Sequence, residues 1–340
     1  MQLTEFLKDE YNRINLKDFQ KLANKTVFIT GGNGLIGSNI VSYLQFLNKK
    51  ENLNIKLVVH SHSEPVNWLP KDTNITYFSS DLNSNIPDCK FDYLINTATY
   101  GQPKKFLQNK LQTIKLNTET YTKLLERAKE NNAHVLHMSS SEVYGQVPEN
   151  KHSVSEEYNG DVCTFAPRAV YGESKRLSET ISKVFIDEGL DIKLVRLAIG
   201  YGPGVKYEDT RFINEFIKKA VNLGEINMLD EGKVLRQLSF ITDTIEMILN
   251  IMLSGKENIY NVGGVAIKSI REIAELIAAN ENVAIKLPEK ADSVGGTPKS
   301  LILDISRYIN EFGQPQFISY EDGLKKTAQW IKIQKQEREN

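Results

Sequence analysis

The chain has 340 residues with 42 basic and 43 acidic side chains, so its charge gives no reason to expect a nucleic acid or a membrane surface as a partner. Its two cysteines, Cys89 and Cys163, have no metal-ligand spacing and are too few for a disulfide framework, which predicts no metal site and a reducing, cytoplasmic location. The N-terminal segment lacks the apolar run of a secretory signal, and no segment is long enough to cross a bilayer.

Residues 1–24 are predicted to form a helical extension that packs onto the main domain. Apolar residues recur at helical spacing along this segment. They are Leu3, Phe6, Leu7, Tyr11, Ile14, Phe19 and Leu22.

From residue 25 onward, short apolar runs alternate with helical ones. The predicted strands cover residues 25–30, 55–60, 75–80, 93–98, 134–140 and 192–200. This alternation predicts an α/β fold with a doubly wound parallel sheet. Near the C-terminus, Ser269 with Glu272 three residues later predicts a capped helix start.

A glycine-rich turn, TGGNGLIGS, lies between the first predicted strand and its helix. Its glycines allow a tight turn and let backbone amides approach a pyrophosphate at the helix N-terminus. The predicted cofactor-binding residues of this turn are Gly31, Asn33, Gly34, Leu35, Ile36 and Gly37. We therefore predict a dinucleotide site, although a glycine-rich loop that binds nothing has the same pattern.

Beyond residue 200 the alternation of strands and helices changes, which suggests a division into domains. We assign residues 25–200 to a dinucleotide-binding Rossmann domain, to which residues 234–263 return. Residues 201–233 and 264–335 are predicted to form a smaller C-terminal lobe over the carboxyl ends of the strands, where open α/β sheets bind ligands.

The second predicted strand ends in His60, Ser61 and His62, where an acid would select NAD through its ribose hydroxyls. Without that carboxylate the sequence predicts NAD but leaves NADP open. The two histidines could form a metal pair, but we interpret them as loop residues beside the cofactor.

Tyr171 and Lys175 lie four residues apart in PRAVYGESKR and therefore share one helix face. A positive charge beside a phenol lowers its pKa, which would let Tyr171 accept a proton from an alcohol. The alternative is an amphipathic helix with its lysine on the solvent face.

These segments together resemble the extended short-chain dehydrogenase/reductase family of nucleotide-sugar epimerases, dehydratases and decarboxylases. The resemblance rests on TGGNGLIGS, SDL, INTATY, LNT, SSSEVYG, YGESK, YGPG and LRQLSFITD, in that order along residues 25–330. It implies a Rossmann fold, an NAD cofactor, a nucleotide-diphosphate sugar as substrate and a homodimer. The dimer would pair the helices of residues 104–131 with the Tyr171 helix, where Leu177, Ile181 and Val184 are either interface or core residues.

The resemblance also implies roles for single residues. Tyr171 would take the proton of the C4 hydroxyl, Ser140 would bind that hydroxyl, and Lys175 would bind the nicotinamide ribose. Arg236 would hold the diphosphate or the sugar, unless it is a surface ion-pair residue. Further cofactor contacts would come from Asp81, Leu82, Thr97 and Ala98.

The second chemical step distinguishes the family's reactions. Ser141 and Glu142 stand where 4,6-dehydratases carry adjacent aspartate and glutamate, so the dehydratase acid is absent. UDP-glucuronate decarboxylases share the Ser-Glu pair and PR-x-x-Y-x-E-x-KR, which is the closest local likeness. Two positions depart from it, because Ile199 replaces an asparagine and Gly204 an arginine.

Three alternatives therefore stay open. The chain could be a 4-epimerase or a 4-keto reductase, and Glu142 could orient a loop instead of acting in catalysis. A protein of another class, a sensor that binds dinucleotide without turnover, is disfavoured by the Ser, Tyr and Lys set.

Overall fold

The computed structural model describes residues 1–148, 153–288 and 300–339. Its strands are, in chain order, β1 Thr26–Thr30, β2 Lys56–Ser61, β3 Ile75–Ser79, β4 Tyr93–Asn96, β5 His134–Ser140, β6 Ile192–Leu197, β7 Ile199–Tyr201, β8 Glu225–Asn227, β9 Leu235–Phe240, β10 Ile259–Val262, β11 Ile267–Ser269 and β12 Ala284–Lys286. The α-helices are α1 Leu3–Phe6, α2 Lys8–Arg13, α3 Leu35–Glu51, α4 Pro103–Gln108, α5 Lys110–Lys115, α6 Tyr121–Glu130, α7 Ala169–Asp187, α8 Phe212–Leu223, α9 Ile241–Ser254, α10 Ile270–Glu281, α11 Ser306–Phe312 and α12 Tyr320–Glu339.

Seven parallel strands form the main sheet of the described residues, in the order β10-β6-β5-β4-β1-β2-β3. Its central strands are buried along nearly their whole length, because helices cover both faces. Continuous apolar runs such as VFI in β1 fit this environment. The order reverses between β1 and β4, and at such a switch point the strand ends leave a crevice for a ligand.

Two small sheets follow in the C-terminal half. In one, β9 pairs in parallel with β7 and antiparallel with β11, and in the other β8 pairs with β12. The helix predicted from Ser269 is confirmed, since Ser269 Oγ accepts a hydrogen bond from the Glu272 amide and Glu272 accepts one from the Ser269 amide. The predicted domain boundaries stay predictions, and residues 289–299 of the predicted lobe lie outside the described residues.

The N-terminal extension folds as α1, α2 and a 3₁₀ turn at Phe19–Leu22. Its Leu3, Leu7 and Tyr11 side chains are buried in the main core. The Tyr11 hydroxyl donates to Asn39 Oδ1 at 3.1 Å, and Asn39 Nδ2 donates to the Pro203 carbonyl at 2.9 Å. The extension thus contacts the start of α3, which in turn contacts the YGPG turn.

Among the helices that the structure describes, none has both the length and the apolar character to span a membrane.

Candidate active site

The glycine turn has no space for a side chain at Gly31 or Gly37. A Cβ on Gly37 would lie 2.3 Å from the Gly31 carbonyl oxygen, and one on Gly31, whose φ is +76°, would lie 2.8 Å from the Ala98 nitrogen. Gly34 is the N-cap of α3 and brings no side chain to the first amides of the helix. Glycine turn and helix N-terminus together suit a pyrophosphate.

The side chain of Asn33 is committed to the protein itself. Its Nδ2 donates to the carbonyl oxygens of Ser63 at 3.0 Å and Glu64 at 2.8 Å, and its Oδ1 accepts from the Val66 amide at 3.2 Å. These bonds fix the glycine turn against the loop after β2. Only the backbone of Asn33 is left for its predicted contact with a cofactor.

The end of β2 carries two buried polar atoms without a hydrogen-bond partner in the described residues, His60 Nδ1 and Ser61 Oγ. The other ring nitrogen of His60 lies 3.0 Å from Ser80 Oγ, and burial lowers the pKa of this histidine. Ser61 Oγ would lie 3.3 Å from a Cβ on Gly32, which places it beside the glycine turn. Ser61 Oγ is therefore the unpartnered polar atom that fits the ribose of a dinucleotide, whereas the His60 ring lies on the opposite face of β2.

The predicted environment of His60 needs correction. His60 belongs to β2 and is 2% exposed, so it is a strand residue and not a loop residue. The described residues contain no group of three His, Cys, Asp or Glu that could hold a metal ion.

The remaining predicted cofactor residues follow β3 and β4. The Asp81 carboxylate accepts from the Asn83 amide at 3.0 Å, whereas the Leu82 side chain is buried in the core. The Thr97 hydroxyl donates to the Thr30 carbonyl at 2.6 Å, and the Ala98 amide packs against Gly31. The ends of β3 and β4 and the glycine turn therefore form one continuous surface.

Tyr171 and Lys175 both lie on the buried face of α7. Tyr171 is 6% exposed and Lys175 is 1% exposed, so the alternative of a lysine on the solvent face is wrong. Lys175 Nζ donates to the Met138 carbonyl of β5 at 2.7 Å. Burial lowers the pKa of this ammonium group to about 7.

The expected low pKa of Tyr171 is wrong for the protein alone. Burial raises this pKa to about 12, the Glu142 carboxylate adds to the increase, and the Thr99, Ser140 and Arg211 side chains oppose it. Lys175 is a weak source of positive charge at neutral pH, because its own burial favours the neutral amine. Sequence spacing placed both groups on one face but could not reveal the cost of burying them.

Ser140, Ser141 and Glu142 mark the transition from β5 into a 3₁₀ turn, Ser141–Tyr144. Ser140 Oγ accepts from the Glu142 amide at 3.2 Å and caps this turn, so the capping role that serines often have coexists with its predicted role. The Glu142 carboxylate forms an ion pair with Arg168, just before α7. Ser140 and Glu142 both act on the pKa of Tyr171, which shows that β5 and α7 converge here.

Asn117 is a site residue to which the sequence analysis gave no role. Its Oδ1 accepts from the Thr99 hydroxyl at 3.0 Å, and its Nδ2 donates to Ser174 Oγ at 2.9 Å. Ser174 in turn donates to the Tyr171 carbonyl at 3.0 Å. Asn117 lies in a π-helical turn, Leu116–Thr120, a feature often found at functional sites. Its signal in the sequence was the LNT motif.

Two arginines approach this site from the C-terminal half. Arg236 of β9 is 9% exposed, so it is not a surface ion-pair residue. Burial and the charge of Arg168 lower its pKa while Glu142 raises it, which places Arg236 near both. Arg211, which the sequence analysis missed, is held by the buried Asp209 carboxylate through its Nε and Nη2 atoms at 3.0 and 2.8 Å.

The glycine at position 204 has a structural reason. Its φ is +92°, and a Cβ there would lie 2.6 Å from Asn39 Nδ2 and 3.1 Å from Leu3 Cδ2. The N-terminal extension and the start of α3 thus occupy the space that an arginine at this position would need.

Comparisons with known proteins identify relatives of this chain. Residues 27–263 match the model of the NAD dependent epimerase/dehydratase family. UDP-glucuronic acid decarboxylase 1 of Danio rerio is 27% identical over 311 residues, which cover 90% of this chain and 72% of that protein.

Solved structures show the same architecture. The dTDP-glucose 4,6-dehydratase DesIV of Streptomyces venezuelae, with NAD and TYD bound, has a TM-score of 0.77 at 21% identity, covering 92% of this chain and 98% of that one. UDP-N-acetylglucosamine 4-epimerase of Methanobrevibacter ruminantium M1, in complex with UDP-N-acetylmuramic acid, has a TM-score of 0.78 at 23% identity, covering 92% and 99%. At these identities the likeness is one of fold, and it confirms the predicted doubly wound α/β architecture.

Proposed function

This chain belongs to the NAD dependent epimerase/dehydratase family, and from that premise we propose that it oxidises a nucleotide-diphosphate sugar at C4 with NAD. The observation that carries the proposal is the convergence of Tyr171, Ser140 and Lys175, all buried or half-buried, at the carboxyl end of β5. A buried phenol and a buried amine on one helix face each cost free energy to bury. Such perturbed groups in a cleft are typical of acid/base catalysis.

The residues around the glycine turn fit NAD. The amides at the start of α3 would hold its pyrophosphate, and the unpartnered Ser61 Oγ would bind its adenosine ribose. When bound, NAD supplies the acceptor for the C4 hydride and a positive ring charge that lowers the pKa of a nearby phenol. Because no carboxylate ends β2, NADP stays open as a second cofactor.

The protein side chains divide the proton chemistry. Tyr171 accepts the proton of the C4 hydroxyl, and Ser140 orients that hydroxyl by a hydrogen bond. Lys175 holds the ribose beside the reacting carbon with the donors that Met138 does not use. The Asn117, Ser174 and Thr99 bonds keep Tyr171 in place.

For the second step we favour decarboxylation of a UDP-uronic acid. The Ser141-Glu142 pair, Arg168 and Arg236 lie together in the structure, and the UDP-glucuronic acid decarboxylases of Danio rerio and Arabidopsis thaliana are 24–27% identical to the chain. Oxidation at C4 turns such a sugar into a β-keto acid, which loses carbon dioxide readily. Ile199 and Gly204 are the observations that favour the alternative, a 4-epimerase or 4-keto reductase.

A substrate panel tests this function. Purified protein is incubated with UDP, TDP, GDP and CDP sugars, and reduction of bound cofactor and release of carbon dioxide are measured. We expect UDP-glucuronate to reduce the cofactor and release carbon dioxide. Inversion at C4 with the carboxylate retained would instead establish an epimerase, and no reduction by any sugar would support a sensor.

We also propose that the protein is a homodimer. Leu111 and Ile114 of α5 and Leu177 and Val184 of α7 are exposed by 70, 39, 49 and 53%. Leu177 and Val184 are thus not core residues, and α5 and α7 are neighbours that can present one apolar face. Light scattering should show a dimer that Leu177→Arg dissociates. The cytoplasmic location stays a prediction from the cysteine content.

A further inference from the structure

Arg168, the residue before α7, contacts one of the proposed catalytic groups directly. Its Nη2 donates to Glu142 Oε1, and its Nε donates to Glu142 Oε2 at 3.4 Å. The two side chains are 23 and 24% exposed, so this ion pair is partly buried. A guanidinium that donates to both oxygens fixes the plane of a carboxylate as well as its position.

The same guanidinium reaches the other catalytic group through an aromatic ring. Arg168 Cζ lies 5.5 Å from the centroid of the Phe106 ring. Phe106 is 1% exposed, and its ring lies parallel to that of Tyr171, with 4.9 Å between centroids and 8° between planes. Arg168, Phe106 and Tyr171 therefore form one stack at the start of α7.

We propose that Arg168 is a positioning residue for both steps of the reaction, because it orients the Glu142 carboxylate directly and holds the Tyr171 ring through Phe106. This inference rests on the proposed function. In that function, Tyr171 acts in C4 oxidation and Glu142 in the step that follows. One side chain thus sets the geometry of two groups from different elements, the 3₁₀ turn after β5 and helix α7.

A purely structural role would be an ion pair that ties the start of α7 to β5. The two roles differ in what a variant changes. Loss of a structural tie lowers thermal stability and affects every ligand and step together. Loss of positioning lowers the rates of chemical steps with little change in KM.

The experiment compares Arg168→Met, Arg168→Lys, Phe106→Leu and Glu142→Gln with the wild type. Lys183→Met is the control, since Lys183 is an exposed cation on the same helix. Single-turnover reduction of the bound cofactor by UDP-glucuronate reports the first step. Overall turnover, KM and melting temperature are measured beside it.

We expect Arg168→Met to slow cofactor reduction about tenfold and overall turnover about 100-fold, since small misplacements at a reacting centre have effects of this size. Phe106→Leu should reproduce the slower reduction alone. Glu142→Gln should reproduce the loss in the later step without slower reduction, because it removes a carboxylate that raises the pKa of Tyr171. Arg168→Lys should restore reduction, because it keeps a cation near Phe106, but not the later step, because an ammonium group cannot form the two-point bond. KM should stay within about threefold throughout.

Three outcomes would overturn the proposal. Arg168→Met could leave both rates at the control value, or lower melting temperature and raise KM without changing the rates. The losses in Arg168→Met and Glu142→Gln could also multiply fully in a variant that carries both substitutions, which would show that the two residues act independently. If the wild type itself reduces no cofactor with any sugar nucleotide, the proposed function falls, and the inference falls with it.

Discussion

The two halves of the candidate site are built on different principles. Around the glycine turn, shape comes from backbone atoms packed so closely that a Cβ on Gly31 or Gly37 has no space. Around Tyr171, shape comes from side chains, and their burial shifts the pKa of the phenol and of Lys175 in opposite directions. The glycine turn therefore depends on the absence of side chains at its glycines, and the region around Tyr171 depends on buried polar groups with shifted pKa values. Added atoms should damage the first, and removed polar groups the second.

The largest effect should come from removing the phenol oxygen. Tyr171→Phe keeps the stack on Phe106, so we expect an intact fold and a loss of about 10³-fold in cofactor reduction by the substrate. Steady-state and single-turnover rates measure it. Tyr308→Phe, which removes a buried hydroxyl remote from the site, is the matched control. Unchanged reduction in Tyr171→Phe would remove the catalytic assignment.

The second prediction concerns Lys175 and pH. Its pKa is about 7 in the folded chain against 10.5 in the unfolded chain, so between these values the unfolded state binds one more proton. The folded wild type thus loses about 1.4 kcal/mol of stability per pH unit as pH falls through this window, and loses no more below pH 7.

Lys175→Met abolishes that dependence. We expect its free energy of unfolding to rise relative to the wild type as pH falls from 10.5 to 7, measured by urea unfolding of cofactor-free protein. The exposed Lys183→Met should show no such trend. If the difference in free energy of unfolding between Lys175→Met and the wild type stayed constant with pH, the low pKa of Lys175 would be contradicted.

Adding a methyl group to a glycine tests the glycine turn. Gly37→Ala would put a Cβ 2.3 Å from the Gly31 oxygen, and we expect NAD affinity to fall about 100-fold as the turn shifts. Gly101→Ala has its nearest neighbour at 3.8 Å and should bind NAD as the wild type does. Isothermal titration calorimetry measures both. Equal affinities would show that the turn does not hold the pyrophosphate.

The smallest effect should come from adding a charge at the end of β2. Ser61→Asp should lower the affinity for NADP relative to NAD by about tenfold, because a carboxylate repels the 2′-phosphate. Ser61→Ala adds no charge and should leave the ratio of the two dissociation constants unchanged. An unchanged ratio in Ser61→Asp would place the ribose elsewhere.

The sequence predicted the parts of this structure that depend on a local pattern. Apolar runs predicted the strands of the main sheet, and Ser269 with Glu272 predicted a helix start, because both signals act within a few residues. The stack of Phe106 on Tyr171 joins residues far apart in the chain, so no local pattern reported it. The sequence did not predict the high pKa of Tyr171 for the same reason, since this pKa depends on burial by several elements.

Asn39 links the start of α3 to the YGPG turn of the C-terminal half. Its carboxamide is in the first turns of α3 and donates to the Pro203 carbonyl, 164 residues away in the chain. A dinucleotide that orders the start of α3 therefore also steadies the turn from which the C-terminal half departs.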